Sequence, residues 1–251
     1  MLAKILVIQF RQDSDSVAYE KATFEREVGA YVDLGFIGVF DDAQNWNCPE
    51  VMLNGYQGVL LGGSGEFDFD GNRSTDDPAR VTTYQLVDKL KPVFSYIFDH
   101  DIPTLGICFG HQLLGAFAGA QVSCDEEQRK TGSHELKLMV NKDDNFLFAD
   151  LPETFFAHYG HKDSLDRVPT GATLLLCGEK CKVSALRYKN NIFSTQFHTE
   201  LTYERMVCRV KQSPGYLPEG VIAEELFRDA PHSNTILHNF GKFVALQNVE
   251  K

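Results

Sequence analysis

The amino-acid sequence predicts an α/β fold, a mostly parallel sheet flanked by helices, with a small antiparallel patch and a helical C-terminal tail. Short continuous apolar runs, which are typical of strands buried on both faces, alternate with segments whose apolar residues recur every three or four positions, as in amphipathic helices. Near residues 135–197 apolar and polar residues alternate instead, which is the period of half-buried antiparallel strands. From about Thr202 the pattern becomes helical.

Four buried strands are expected in the first half of the chain, at residues 5–8, 36–40, 58–61 and 103–107. Apolar residues at positions 24, 28, 31 and 32 indicate a helix between the first two. Asp77 followed by Pro78 is a typical helix start, with Asp as N-cap and Pro at the first helical position. We expect that helix to be kinked or split at Pro92. Its buried face is expected to carry Val81, Tyr84, Val87, Leu90, Phe94 and Ile97.

The second half begins with a helix at 108–118 and continues with short strands at 136–140, 174–176, 183–188 and 192–197. Ile236, Phe240 and Phe243 predict a final helix that packs back on the sheet. No repeat or linker divides the chain, so we expect one domain over 1–251, with a core at 3–200 and an extension at 202–251. Two interpretations of segment 207–231 are open: it covers an edge or the rim of the functional site, or it is a solvated helical addition.

Composition excludes several classes of protein. Of the 251 residues, 43% are hydrophobic and 24% charged, which is ordinary for a globular protein and unlike a disordered or fibrous chain. The net charge of −11 disfavours binding to nucleic acid or to an anionic membrane. No signal-peptide pattern and no run of 18 apolar residues occur, so a cytoplasmic location is expected. The six cysteines are scattered, and Cys177 and Cys181 lack a second ligand pair, so no metal site is expected.

The sharpest motif is Gly-Ile-Cys-Phe-Gly at residues 106–110, where a buried strand passes into a helix. Cys108 would stand in a strand-turn-helix elbow, which small flanking residues allow to close tightly. A helix N-terminus favours the thiolate, the reactive form of cysteine. The alternative is an inert cysteine buried in a βα turn. The flanking glycines and the strand-helix junction favour a nucleophile.

A cysteine nucleophile needs a base and usually a third group that orients the base. His198 ends the apolar run at 192–197, and Glu200 follows two residues later. On an extended chain that spacing places both side chains on one face, where the carboxylate can fix the imidazole. The alternative is a surface histidine with a solvated glutamate. Together with Cys108, the pair forms the hypothesis of a Cys108, His198, Glu200 triad.

A glycine-rich turn, Leu-Leu-Gly-Gly-Ser-Gly at residues 60–65, follows another predicted strand. Glycines there can turn backbone N–H groups toward a developing oxyanion. A plain glycine turn is the alternative. No Gly-Lys-Ser/Thr sequence follows, so this turn is not a phosphate-binding P-loop.

These features occur in the order of a known family, because the chain resembles the class I, or triad, glutamine amidotransferases, especially stand-alone members similar to the glutaminase domain of GMP synthase. The matching segments are LLGGSGEF, GICFGHQLLG, YGHKDSLDRVPTG and STQFHTEL, at residues 60–67, 106–115, 159–171 and 194–201. The resemblance covers about residues 3–200 and implies a flavodoxin-like sheet. It implies that Cys108 attacks the γ-carboxamide of glutamine, that His198 and Glu200 complete the triad, and that ammonia is released.

The same resemblance implies roles for four further residues. Gly63 and the backbone N–H of Phe109 match the oxyanion hole, and Gln112 matches the residue after the elbow that faces the substrate. Asp163 matches the acidic position that holds the α-amino group of the substrate. The implied partners are glutamine or another γ-glutamyl compound and a synthase that accepts ammonia, and no cofactor is implied.

The sequence also departs from the family. Thr199 stands where the family usually has Pro between His and Glu, and Lys162 stands where a Gly usually precedes the Asp. No Ser-Gly-Gly-x-Asp-Ser loop is present, so complete GMP synthesis by this chain alone is not expected. His111 is interpreted as structural. Besides the glutaminase, a γ-glutamyl peptidase acting alone and a catalytically idle regulatory or binding module of the same fold stay open. The Gln-Phe-His-x-Glu segment at 196–200 argues against a cysteine hydrolase of the intracellular protease type, which places its His beside the Cys.

Overall fold

The computed structural model describes residues 2–142, 145–212, 217 and 220–247, and one large sheet lies at their centre. Its strands and those of a separate short pair are β1 (Lys4–Gln9), β2 (Asp33–Gly38), β3 (Gly58–Leu61), β4 (Thr104–Ile107), β5 (Val122–Cys124), β6 (Lys130–Leu138), β7 (Thr154–His161), β8 (Asp163–Leu165), β9 (Thr173–Gly178), β10 (Ala185–Arg187) and β11 (Ile192–Thr195). In the described residues the large sheet has nine strands, in the order β2-β1-β3-β4-β11-β10-β9-β6-β7. The first five pair in parallel, and the neighbours from β11 to β7 pair antiparallel.

Helices cover both faces of this sheet. They are α1 (Ser14–Val28), α2 (Pro49–Met52), α3 (Pro78–Asp99), α4 (Phe109–Phe117), α5 (Tyr203–Gln212), α6 (Ala223–Leu226) and α7 (Pro231–Gln247). Successive side chains of β1 point to opposite faces. Ile5 and Val7 pack with α1 and α7, whereas Leu6 and Ile8 pack with α3 and α4. Within the described part of the chain, no helix combines the length and apolarity needed to cross a bilayer.

The predicted α/β class and the parallel strands of the first half are confirmed. The antiparallel part is larger than expected, because β7 pairs with β6 along its whole length although its sequence shows no clear alternation of apolar and polar residues. The short ribbon of β5 and β8 is not predicted either. Three residues per strand are too few to show a period of two.

Helix α3 begins as predicted, with the Asp77 carboxylate accepting a hydrogen bond from the backbone N–H of Ala79 at 2.9 Å. Of the two outcomes expected at Pro92, the split is wrong, because α3 continues through this residue, and the kink stays a prediction. Burial of Leu90 and Val93 on either side offsets the roughly 3 kcal/mol that an interior proline costs.

The buried face of α3 also differs from the predicted one. Val81 and Tyr84 are 39% and 48% exposed. The stripe that meets the sheet instead consists of Thr83, Leu86, Leu90, Val93, Phe94 and Ile97. Only the C-terminal half of the helix follows the expected stripe.

The C-terminal tail packs against the rest of the molecule in two places. Helix α7 buries Ile236 and Phe240 in the core, and Phe243 stacks on Phe146 with ring centroids 3.9 Å apart. Helices α5 and α6 form a separate apolar cluster that includes Leu201, Met206 and Phe227. The predicted final helix is therefore confirmed. Of segment 207–231, residues 213–216, 218 and 219 lie outside the described residues.

Two glycines allow α4 to approach the sheet closely. A β-carbon on Gly106 would lie 2.7 Å from the carbonyl oxygen of Gly110, and one on Gly110 would lie 2.7 Å from both Cβ and the carbonyl oxygen of Leu61. Real β-carbons do not approach backbone atoms this closely. The turn from β4 into α4 therefore requires glycine at both positions.

We predict that Gly110→Ala lowers the free energy of unfolding by about 1–3 kcal/mol, because the added methyl group forces α4 away from β3. Urea denaturation measures the change. Gly38→Ala is the matched control, since its β-carbon would meet nothing within 4 Å, and its effect should stay within about 0.5 kcal/mol. Equal stability of the two variants would contradict this account.

Three histidines are buried near the carboxyl ends of the central strands. His111 Nδ1 lies 2.7 Å from Ser194 Oγ, His158 Nδ1 lies 2.9 Å from Ser133 Oγ, and His161 Nδ1 lies 3.0 Å from the Asp163 carbonyl oxygen. Burial lowers the pKa of His111 and of His161 to about 3, and that of His158 to about 4. All three rings are therefore neutral in the folded protein at neutral pH.

We predict that the protein loses stability as the pH falls below 6.5. The unfolded chain then binds protons at these histidines while the folded chain does not, which costs about 1.4 kcal/mol per histidine at pH 5.5. The three should together lower the free energy of unfolding by about 4 kcal/mol between pH 7.5 and 5.5. His198 acts in the opposite direction: its pKa in the folded protein is raised to about 10, so at pH 7.5 the folded chain binds a proton there that the unfolded chain does not, and lowering the pH adds about 1.4 kcal/mol of stability. The net decrease measured by urea denaturation should therefore be about 3 kcal/mol. In His111→Gln the decrease should be smaller by about 1.4 kcal/mol. An unchanged stability over this range would show that the rings take up protons without unfolding.

Candidate active site

Cys108 lies at the turn between β4 and α4 with a backbone conformation that is rare for a residue other than glycine. Its φ is 55° and its ψ is −100°. Its backbone N–H donates to the carbonyl oxygen of Thr195 at 2.8 Å, and that of Gly110 donates to the carbonyl oxygen of Gly62 at 3.2 Å. Strand β11 and the residue that follows β3 thus hold the turn from both sides. A left-handed φ held in this way stores about 1–3 kcal/mol of strain and is typical of a functional position.

His198 and Glu200 follow β11, the strand beside β4. His198 Nδ1 lies 2.7 Å from Glu200 Oε1, and both side chains are almost fully buried. The backbone N–H of His198 donates to the carbonyl oxygen of His158 at 2.9 Å, which links this segment to β7. Burial alone would lower the pKa of the His198 imidazole, but the negative charges of Glu200 and Cys108 outweigh it and raise that pKa to about 10. The imidazole is therefore cationic at neutral pH, with Nε2 free to face the sulfur.

Gly63 lies directly beside Cys108 and His198. A β-carbon on Gly63 would lie 3.4 Å from His198 Cε1, 3.5 Å from Arg11 Nη2 and 3.6 Å from Cys108 Cβ. Phe109 is the first residue of α4, where backbone N–H groups lack an acceptor within the helix. The two residues expected to form an oxyanion hole therefore both adjoin Cys108, Gly63 from the loop after β3 and Phe109 as the first residue of α4.

Gln112 and Asp163 are in contact with each other. Gln112 Nε2 donates to the Asp163 carbonyl oxygen at 2.8 Å and to Gln196 Oε1 at 3.3 Å. The Asp163 carboxylate accepts hydrogen bonds from the backbone N–H groups of Asp70 at 2.9 Å and Gly71 at 2.7 Å. Burial raises the pKa of the Asp163 carboxyl above its ordinary value. Both carboxylate oxygens thus position the loop after β3. The sequence does not suggest this contact. The roles of Gln112 and Asp163 in substrate binding stay predictions.

Arg11 and Glu20 form a buried ion pair that sequence reasoning missed. Arg11 Nε lies 3.2 Å from Glu20 Oε1, and Gln9 Nε2 donates to Glu20 Oε2 at 3.1 Å. Burial raises the pKa of Glu20 despite the arginine. Two signals could have revealed the pair: Arg11 follows the carboxyl end of a parallel strand, and Glu20 interrupts the buried side of α1.

A pocket opens beside His198. It is lined by Arg11, Ser64, Gly65, Gly160, His198, Met206, Arg209 and Val210. The last three belong to α5, so the tail forms one wall of the pocket. Of the two interpretations of segment 207–231, the structure favours a rim for its described part at 207–210. No group of three His, Cys, Asp or Glu side chains placed to bind a metal ion occurs among the described residues.

Comparison with known proteins gives the family. The sequence model of the family described as glutamine amidotransferase class-I matches residues 56–209, more than half of the chain. One subunit of the glutamine-hydrolyzing GMP synthase of Methanocaldococcus jannaschii is 33% identical over 118 residues, which are 47% of this chain and 61% of that protein. The corresponding subunit from Archaeoglobus fulgidus is 26% identical over 62% of this chain and 73% of that protein. The GMP synthase of Borreliella burgdorferi is 36% identical over 66% of this chain but only 29% of its own length.

Solved structures agree on the fold. A glutamine amidotransferase from Thermotoga maritima superposes with a TM-score of 0.68 and 19% identity, covering 98% of this chain and 99% of that one. A glutamine amidotransferase from Methylobacillus flagellatus gives a TM-score of 0.66 and 18% identity, covering 100% and 95%. The likeness extends over the whole length of both, including the tail. The match of the family model over residues 56–209 shows that the chain belongs to the class I glutamine amidotransferase family.

Proposed function

We propose that this protein hydrolyses the γ-amide of glutamine or of another γ-glutamyl compound through Cys108, His198 and Glu200. The observation that carries the proposal is the buried His198–Glu200 pair, which directly follows the strand next to the strained Cys108 turn. The related GMP synthase proteins are named for the hydrolysis of glutamine, which supports this reaction class.

The reaction begins when the Cys108 thiolate attacks the γ-carbonyl carbon. A carbon–sulfur bond forms, and negative charge develops on the carbonyl oxygen. The backbone N–H groups of Gly63 and Phe109 are the donors proposed for that oxygen, and one such donor is typically worth about 3 kcal/mol. No metal ion takes part in the proposed step.

His198 then delivers its proton to the departing nitrogen, and the carbon–nitrogen bond breaks to leave a γ-glutamyl thioester on Cys108. Glu200 keeps the imidazole oriented and stabilises its cationic form. A water molecule then gives a proton to the neutral imidazole and attacks the carbonyl carbon of the thioester. The carbon–sulfur bond breaks, which releases glutamate and restores the Cys108 thiolate. Gln112 and Asp163 are proposed to hold the glutamyl part of the substrate.

Two uses of the released amine follow from different observations. The first use is the transfer of ammonia to a synthase partner, and it is favoured by the relatives that are subunits of GMP synthase. We propose that both proteins are located in the cytoplasm. A peptidase acting alone is favoured by the pocket beside His198, which ammonia does not need. The alternative of a catalytically idle module does not explain why a strained cysteine lies next to a buried ion pair. Nucleic acid and membranes are not proposed as partners.

We predict that Cys108→Ala abolishes glutamate release while substrate still binds, and that Cys108→Ser is nearly inactive because a hydroxyl does not supply a thiolate. Rapid-quench mass spectrometry of the unmodified enzyme should detect a γ-glutamyl thioester on Cys108, a mass increase of about 129 Da. A glutamine-mimicking diazo-ketone should label the same residue.

The matched control is Cys48→Ser, which changes a half-buried cysteine on another part of the molecule and should keep full activity. Glutamate release at the normal rate by Cys108→Ala would end the proposal. Labelling of another cysteine, with Cys108 untouched, would do the same.

We further predict that Glu200→Gln lowers the pKa of His198. The carboxylate that raises this pKa is then lost, and burial favours the neutral ring. NMR titration of ¹⁵N-labelled imidazole should find the ring cationic at pH 8 in the unmodified protein and neutral at that pH in the variant. Glutamate release should be impaired but measurable.

Glu204→Gln provides the control for this titration, because Glu204 is an exposed carboxylate whose Oε2 accepts from Thr202 Oγ1 at 2.9 Å. Its removal should leave the midpoint of His198 unchanged. Identical midpoints for Glu200→Gln and the unmodified protein would mean that Glu200 does not control the charge of the base.

A further inference from the structure

The pocket beside His198 lies on the side of the leaving amine, if the proposed hydrolysis holds. His198 must stand next to the departing nitrogen in order to protonate it. His198 lines the pocket, whereas Gln112 and Asp163, which are proposed to hold the glutamyl part, are not among the described residues that line it. The pocket is thus placed for the group attached to the nitrogen.

Two guanidinium groups in this pocket have N–H donors that form no hydrogen bond with the described residues. Arg209, on α5, is half-buried and makes no hydrogen bond or ion pair with any described residue. Arg11 uses Nε for Glu20, and neither of its Nη groups hydrogen-bonds to the described part of the chain. The protein as a whole carries a net charge of −11, so a pocket with two cationic side chains differs in sign from the rest of the molecule. Guanidinium groups of this kind bind carboxylates through charge-assisted hydrogen bonds.

Ammonia requires neither a pocket nor a carboxylate-binding group, whereas an amino acid released from a γ-glutamyl peptide brings a carboxylate with it. Met206 and Val210 lie on the same wall as Arg209 and form an apolar surface. We infer that the pocket receives a leaving amino acid with an apolar side chain and a free carboxylate, which Arg209 binds with Arg11 deeper in the pocket. The substrates are then γ-glutamyl amino acids or short γ-glutamyl peptides.

The test compares γ-glutamyl-leucine with γ-glutamyl-leucinamide, which differ only in the carboxylate. The unmodified enzyme should release glutamate from the acid with a kcat/KM at least about tenfold higher, as expected for a charge-assisted hydrogen bond. In Arg209→Gln this ratio should fall below about twofold, and Arg209→Lys should restore part of it. Lys211→Gln removes a charge from the same helix outside the pocket, where Lys211 pairs with Glu224, and should keep the full ratio.

A binding measurement separates this inference from the proposed chemistry. Calorimetric titration of Cys108→Ala should find the acid bound at least about tenfold more tightly than the amide, without any turnover. Equal affinity of the two ligands for Cys108→Ala overturns the inference, as does a tenfold preference that persists in Arg209→Gln. Absence of glutamate release from every substrate, with the difference in affinity intact, would instead reject the proposed hydrolysis and keep the pocket as a carboxylate-binding site.

Discussion

The turn at Cys108 is the constraint on which the rest of the site depends. A left-handed φ at a residue with a side chain is unfavourable by about 1–3 kcal/mol, and it persists only where the surrounding structure fixes it. Here β11 and the residue that follows β3 fix it through hydrogen bonds from Cys108 and Gly110, and α4 can approach because positions 106 and 110 have no β-carbon. The sulfur consequently stands where the carboxyl ends of three parallel strands meet.

Buried charges around the sulfur occur in pairs. A carboxylate or a guanidinium isolated from water is costly, so His198 is matched by Glu200 and Arg11 by Glu20. Arg11 follows the carboxyl end of β1 and His198 follows that of β11, and Gly63 lies between these two cationic residues. Exclusion of water strengthens the attraction between the imidazolium and its neighbours. The same burial keeps His111, His158 and His161 neutral, so His198 is the charged histidine of this region.

The tail forms one wall of the pocket beside His198. Helix α5 packs through Met206 and Val210 onto the apolar cluster of the tail, and Arg209 is carried into the pocket by the same helix. Arg205 also contacts the ring of Tyr19 on α1, which joins the tail to the core of the fold. Of the two arginines proposed to bind the leaving group, Arg209 therefore comes from the tail, while the proposed triad follows the ends of β4 and β11.

The sequence by itself determined the features that depend on short segments. Continuous apolar runs predicted the parallel strands, Asp77 and Pro78 predicted the start of α3, and the spacing of His198 and Glu200 predicted that they lie on one face. Tertiary structure decided the features that depend on residues far apart in the chain. Asp163 binds the backbone of residues 70 and 71 across more than 90 positions. Arg11 meets Gly63 and His198 only once the four strands β1, β3, β4 and β11 have paired. The face of α3 that is buried was likewise decided by packing against the sheet, because more than one face of that helix is apolar enough to be buried. Periodicity identifies an element and its amphipathic character, whereas the choice of partner depends on the packing of the whole fold.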